Sequence, residues 1–314
     1  AGAEHLITGQ IQKRGTNMIA VLAGASDEKG PPAQALGIVV TTLTADDGKA
    51  LLDKNNVTHI KNVAGYISGN GVLRWKNVEE NVTYTGTNAG YREIEQVTLA
   101  DGRFFTDEED SAQESVLTLG ATIAEDIFGN QSPIGERVRL GRKQFRVIGV
   151  LAPQGANIFE NPDTAVLLPL QTAQDNLLGV KHVSFLRLTV DNEKNIAQTV
   201  TEIKQTLTER HNDEDFSIRT VSDLLSILTT VTGAIRFFLI AIAAVALFVG
   251  GVGIMNIMLM SVKEKTTEVG LRKALGATNR DILEQFLFET VYLALIGGGV
   301  GIIGGALLAC IISV

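Results

Sequence analysis

Two runs of the chain carry no charge over a length that fits a lipid bilayer. From Phe237 to Met260 the only strongly polar side chain is Asn256, and Thr290 to Val314 is again uncharged. At about 1.5 Å per helical residue the first run spans roughly 36 Å, against a hydrocarbon core of about 30 Å. A buried helix in a large soluble core is the other reading of one such run, and the second run makes it the poorer one. The segment between them, SVKEKTTEVGLRKALGATNRDILEQ, holds every Lys and Arg that follows Arg236. The positive-inside rule makes it cytoplasmic and puts everything before Phe237 on the other side. The expected layout is a transmembrane helix at 237–260, a cytoplasmic coupling segment at 261–285 and a truncated transmembrane helix at 286–314.

The pattern before Phe237 is that of a folded domain. Leu6, Ile7 and Ile11 suggest a short stalk helix within residues 1–17. GIVVTTLT (37–44) reads as a strand, and Thr44 with Asp47 suits the start of a helix over 45–55. VSFLRLTV (183–190) reads as a strand. Ile196, Val200, Ile203 and Leu207 fall on one helical face, and FSIRTV (216–221) reads as a further strand. Residues 18–79 and 179–221 therefore form one small α/β layer. Residues 80–178 read as an inserted, mostly β subdomain. It has a hairpin turning at Leu140-Gly141-Arg142-Lys143, a strand at AVLLPL, a capping box of Thr106 and Glu109, and a short helix at 121–128. Residues 222–236 give a second stalk helix, with Leu224, Leu228, Val231 and Ile235 on one face, running straight into Phe237. The fold class is an α+β extracytoplasmic domain joined to transmembrane α-helices.

Composition sharpens this. Of 27 Lys/Arg and 35 Asp/Glu in 314 residues, five of each follow Arg236, so the whole net charge of −8 lies in the outer domain. That acidity argues against a nucleic-acid partner. The single Cys excludes an internal disulfide framework. A domain exported this way needs a targeting signal or a preceding span, and Ala1 opens neither. With no polar exit after Val314, the chain reads as a fragment lacking a span in front and sequence behind.

Gly299, Gly301 and Gly304 match a dinucleotide fingerprint but lie in an apolar run with no strand before them. Gly297, Gly301 and Gly305 repeat at four-residue spacing, a helix-packing pattern in lipid, and Gly250, Gly251 and Gly253 offer a similar flat face beside Asn256. The four His are scattered and read as solvated surface residues, and the acidic cluster Thr106 to Asp110 as charges at a helix start. No P-loop and no Ser-nucleophile motif occurs, so the chain is not expected to be an enzyme. The informative segment is Glu268-Val269-Gly270-Leu271-Arg272-Lys273-Ala274-Leu275-Gly276. Its acid leads, its bases trail and its glycine closes, which describes a short helix. Its apolar residues are too small and its cations too few for a helix lying on lipid headgroups, so docking into a protein partner is the better account.

GGVGIMNIMLMSVKEKTTEVGLRKALGATNRDILEQFLFE resembles the second span, coupling segment and third span of MacB-type ABC transporter permeases, within the wider FtsX-like group. GTNMIAV, LADGRFFTDEE, PIGERVRLGRKQFRVIGVLAP and AVLLPL are similar to motifs of that family's extracytoplasmic domain. One departure is Thr266-Thr267, where the family often carries an Arg before the Glu. The resemblance implies a porter-like α/β subdomain with a β-rich insertion, in a homodimer of four-span subunits in the cytoplasmic membrane. It implies ATP and Mg²⁺ at a fused or separate ATPase domain, with Glu268 to Gly276 as the helix that meets it, and a periplasmic adaptor as a further partner. It also implies mechanotransmission, in which ATP-driven closure is passed outward through the stalks rather than through a channel. The alternative is the FtsX branch, where the outer domain regulates a cell-wall hydrolase. The β insertion and the outer-domain motifs favour transport. A membrane-tethered enzyme lacks a catalytic constellation here, and a ligand-sensing receptor lacks a signalling linker.

Overall fold

The computed structural model describes residues 17–26, 40–155 and 161–312. It opens with β1 (Met18–Ala23), α1 (Ala45–Leu52), β2 (Ile60–Trp75), β3 (Val78–Thr87), α2 (Tyr91–Ile94) and β4 (Leu99–Gly102). Then come α3 (Asp107–Ser111), β5 (Val116–Leu119), α4 (Ala121–Phe128), β6 (Arg137–Leu140), β7 (Lys143–Leu151), β8 (Val166–Pro169) and α5 (Leu170–Ala173). After them lie β9 (Phe185–Val190), α6 (Ile196–His211), β10 (Phe216–Thr220), α7 (Val221–Glu264), α8 (Thr266–Ala274) and α9 (Asn279–Ile312). The chain divides into two units, residues 1–229 and 230–314.

In the first unit, β10, β1, β9 and β2 form an antiparallel sheet in that order. With α1 between β1 and β2 and α6 between β9 and β10, this is a split β-α-β arrangement interrupted by an insertion. Ile19, Val21 and Ala23 share a core with Leu186, Leu188 and Val190 and with Leu51, Ile203 and Leu207 of the two helices. Each fully buried aliphatic side chain there contributes roughly 1.5–3 kcal/mol. On a second cluster, Met18, Ala64 and Tyr66 meet Tyr91 and Ile94 of α2. Tyr66 Oη donates to Glu95 Oε1 at 2.8 Å. Arg187 pairs with the same carboxylate and lies 5.0 Å from the Tyr66 ring centroid.

The sixteen-residue β2 serves two pairings. Ile60 to Tyr66 pair with β9, and Ile67 to Trp75 pair with β3. From β3 the pairing continues through β8, β5, β7 and β6, and it returns to β2 where Leu140 and Arg139 meet Leu73 and Arg74. The inserted part is therefore a closed six-stranded ring, with β4 pairing Gly149 to Leu151 of β7, beyond the stretch that pairs with β6. Closure removes the free strand edges an isolated sheet would expose. Its interior includes Leu73, Tyr84, Leu117, Leu140, Phe145 and Val166. The boundary expected at residue 79 falls within β3, in the β2–β3 hairpin.

Several local expectations meet the structure closely. The helix at 121–128 is α4. The hairpin turns at Gly141, whose φ of +59° suits the turn. Thr106 accepts from the Glu109 amide while Glu109 Oε2 accepts from the Thr106 amide at 3.1 Å. Helix α1 starts on its capping box, the Thr44 amide donating to Asp47 Oδ2 at 2.9 Å, but ends at Leu52 rather than residue 55, where Asp53 turns extended.

The strand expected at 37–44 is a correction. Residues 37–39 lie outside the described residues, and Val40 to Leu43 form no strand. Both edges of β9 are taken by β1 and β2, and this run instead makes an isolated bridge, Thr44 to His182, with the Val183 amide donating to the Leu43 carbonyl at 2.9 Å. Leu43 is still fully buried. The first stalk, with Ile7 and Ile11, lies outside the described residues.

Candidate coupling site

Helix α7 begins directly after β10. Thr220 donates from its amide and hydroxyl to Asp223 Oδ2, at 2.7 and 2.8 Å, a cap that starts the helix without a loop. No Pro interrupts it, and Gly233 is its one weak helix former before the apolar run, costing about 1 kcal/mol against Ala. The stalk and the apolar run 237–260 are thus one helix of 44 residues. Leu224 lies in its first turns. Val221 is buried and Leu225 packs on the same cluster, whereas Leu228, Val231 and Ile235 are exposed.

At Lys265 the backbone leaves helical geometry, with φ −87° and ψ 10°, and α8 follows. It starts two residues before Glu268 and ends at the expected place: Gly276 sits at φ +102°, where a side chain is strained. The chain reopens as α9 on a Thr278–Asp281 cap of 2.8 Å. Glu268 lies in the first turn of α8, facing Arg272 at 2.6 Å. Lys273 and Ala274 are exposed, Val269 is half-buried, and Gly270 has open space around it. No residue of α8 is buried, and Leu271 and Leu275 are 64% and 83% exposed. This is a short polar-backed helix offering two leucines outward.

Sequence reasoning missed what fixes α8 on the inner side. Arg272 Nη1 donates to Gln285 Oε1 of α9, and Lys265 Nζ lies 3.8 Å from Glu289 Oε1. The signal was present: Glu289 is an acid between Phe288 and Thr290, at the start of an apolar run.

Both α7 and α9 are long and apolar enough to cross a membrane. Gly251, Ile254, Met258 and Val262 of α7 line an apolar cleft with Leu283, Phe286 and Leu287 of α9. A Cβ added at Gly250, Gly251, Gly253, Gly297, Gly301 or Gly305 would meet nothing within 4 Å. Among the described residues a side chain at these glycines would thus find open space, and Asn256 is exposed.

Two titratable groups of the outer domain differ from expectation. His211 is half-buried, its side chain 9% exposed, with Nε2 3.2 Å from Asp47 Oδ2 and Nδ1 2.6 Å from Asp215 Oδ1. Burial opposes its charge, but the hydrogen bonds to Asp215 and Asp47 outweigh that and raise its pKa. Burial also works against the two carboxylates, yet Arg210 and Thr44 hold Asp47 low, and Thr42 and His211 hold Asp215 low. Asp110 lies in the first turn of α3, as a helix-start charge should, but it is buried; burial pushes its pKa to about 6 while Oδ1 accepts from the Gln171 amide at 2.8 Å.

Residues 1–206 match the family model of the MacB-like periplasmic core domain, and residues 240–314 that of the FtsX-like permease C-terminal domain. A "macrolide export ATP-binding/permease protein MacB" of Bdellovibrio bacteriovorus is 34% identical over 318 residues, covering 99% of this chain and 48% of that relative. The chain spans about half the length of the curated relatives it matches. The fold resembles the periplasmic region of MacB from Actinobacillus actinomycetemcomitans, with a TM-score of 0.61 at 20% identity, covering 71% of this chain and 98% of that one. It also resembles the extracellular domain of the noncanonic ABC-type transporter YknZ from Gram-positive bacteria, with a TM-score of 0.53 at 24% identity, covering 65% of this chain and 100% of that one. The chain belongs to the MacB-type permease family, joining a MacB-like periplasmic core domain of mixed α/β fold to an FtsX-like permease domain.

Proposed function

We propose that this chain is the outer domain and two spans of an ABC exporter subunit that works by mechanotransmission. Its ATPase, fused or separate, binds ATP and Mg²⁺ in the cytoplasm and docks on α8 through Leu271 and Leu275. ATP-driven closure of a homodimer moves the spans in the bilayer, and the stalks pass that motion to the periplasmic core domain and any adaptor seated on it. The named exporters among its relatives support transport over the signalling branch, with a macrolide-like amphiphile as the first cargo to try.

The observation that carries this reading is the continuity of α7, which leads from the last strand of the outer domain to the break before α8 without a loop. A helix transmits a tilt, whereas a linker would absorb it. The test is to replace Thr229 by Cys in the full-length protein freed of Cys310, and to compare the oxidised and reduced states. Oxidation should stop export while ATP binding persists. Unchanged export with the crosslink complete would make the stalk a passive tether.

A further inference from the structure

Helix α8 is bracketed by two backbone breaks, Lys265 before it and Gly276 after it, and buries none of its residues. A short helix so bracketed would swing when pushed. The Thr266 hydroxyl donates back to the Val262 and Lys263 carbonyls of α7, and two side-chain ties reach α9. Arg272 spreads its guanidinium between Glu268 on its own helix and Gln285 across the turn. Lys265, at the first break, reaches Glu289. Gln285 and Glu289 are one helical turn apart and so share a face of α9. Glu289 sits among Phe286, Leu287, Phe288 and Val291, where a carboxylate is costly unless a cation accompanies it. Lys265 supplies one on a stem long enough to follow it.

We propose that Lys265–Glu289 and Arg272–Gln285 make α8 and α9 one lever, so that thrust delivered at Leu271 and Leu275 drives α9 as well as α7. The four residues are positioning residues for coupling, an assignment that rests on the transport reading above. The ion pair is 43% and 41% exposed. Glu289→Gln removes the carboxylate together with the pair and leaves no unpaired charge in the apolar run, so its effect shows in coupling.

The experiment uses the full-length permease with its ATPase in proteoliposomes, with a radiolabelled macrolide as probe. The variants are Glu289→Gln, Lys265→Glu, Glu289→Lys and the exchanged double Lys265→Glu/Glu289→Lys. Each single variant should keep ATPase association and hydrolysis while macrolide exported per ATP falls about fivefold or more, the lower range of a real coupling between sites. The exchanged pair should recover most of it. Glu289→Gln, which adds no charge to the bilayer, guards against failed insertion of the Lys variant. Single variants that export as the unaltered complex does, or an exchanged pair no better than its worse parent, would overturn the lever. Absence of ATP-driven export in the unaltered complex would instead overturn the transport reading, and this inference with it.

Discussion

Leu271 offers the sharpest mutational test of the docking face. It is 64% exposed in this chain, with Leu275 at 83% beside it. Burying a whole Leu side chain stabilises by about 1.5–3 kcal/mol, so the two-thirds still in water would contribute about 1–2 kcal/mol when the ATPase covers it. Leu271→Ala should weaken ATPase binding roughly five- to thirtyfold. Leu271→Asp adds the burial of an unpaired carboxylate, several kcal/mol more, and should abolish association at micromolar concentrations. Neither should alter folding, because exposed substitutions usually stay within about 0.5 kcal/mol. The assay is ATPase-domain binding to the solubilised full-length permease, with a thermal denaturation of each variant alongside. Undiminished binding by Leu271→Asp would refute the docking face. A large fall in its melting temperature would show instead that Leu271 belongs to internal packing.

Two other outcomes follow from the same structure. Single Cys residues at Asn77 and Asn279, both exposed, should label from opposite sides of the membrane in a full-length protein lacking Cys310; labelling from one side would end the two-compartment topology. The raised pKa of His211 and the lowered pKa values of Asp47 and Asp215 set a stability window for the outer domain. The His contribution is complete below its unfolded value of about 6.5 and is lost as pH rises through the higher folded value, while the Asp contributions are lost as pH falls below about 4. The contribution of this cluster should peak between the two, whereas Asp110, raised to about 6, works against stability as pH rises towards that value; His211→Gln should flatten the alkaline side of a thermal-denaturation series, and an unchanged profile would show that this cluster does not set it.

Much of the fold was legible because local signals and tertiary packing agreed. The cap at Thr106, the turn at Gly141 and the apolar face of α6 each say the same thing at both levels. The long β2–β3 hairpin went unread because Gly65, Gly69 and Gly71 interrupt the apolar–polar alternation along β2. At Gly69 a Cβ would come within 2.5 Å of Tyr84 Oη, so that glycine makes room for a ring lying across the strand. Val40 to Leu43 misled in the other direction: β-branched residues suit a strand, but β9 had no edge left for them. In the coupling segment the charge order and Gly276 revealed α8, whereas of its ties to α9 only the acid Glu289 in an apolar run gave a sign, since side chains on separate helices meet only once the turn at Gly276 brings them together.

The central claim is that α7 carries force as one stiff element. Inserting two Gly after Thr232 in the full-length protein leaves both the outer domain and the coupling segment intact and breaks only the helix between them, each Gly costing about 1 kcal/mol of helix stability. ATP hydrolysis and export are then measured together in the reconstituted complex. The account predicts hydrolysis at a near-normal rate with export lost. Export that continues in proportion to hydrolysis would contradict it.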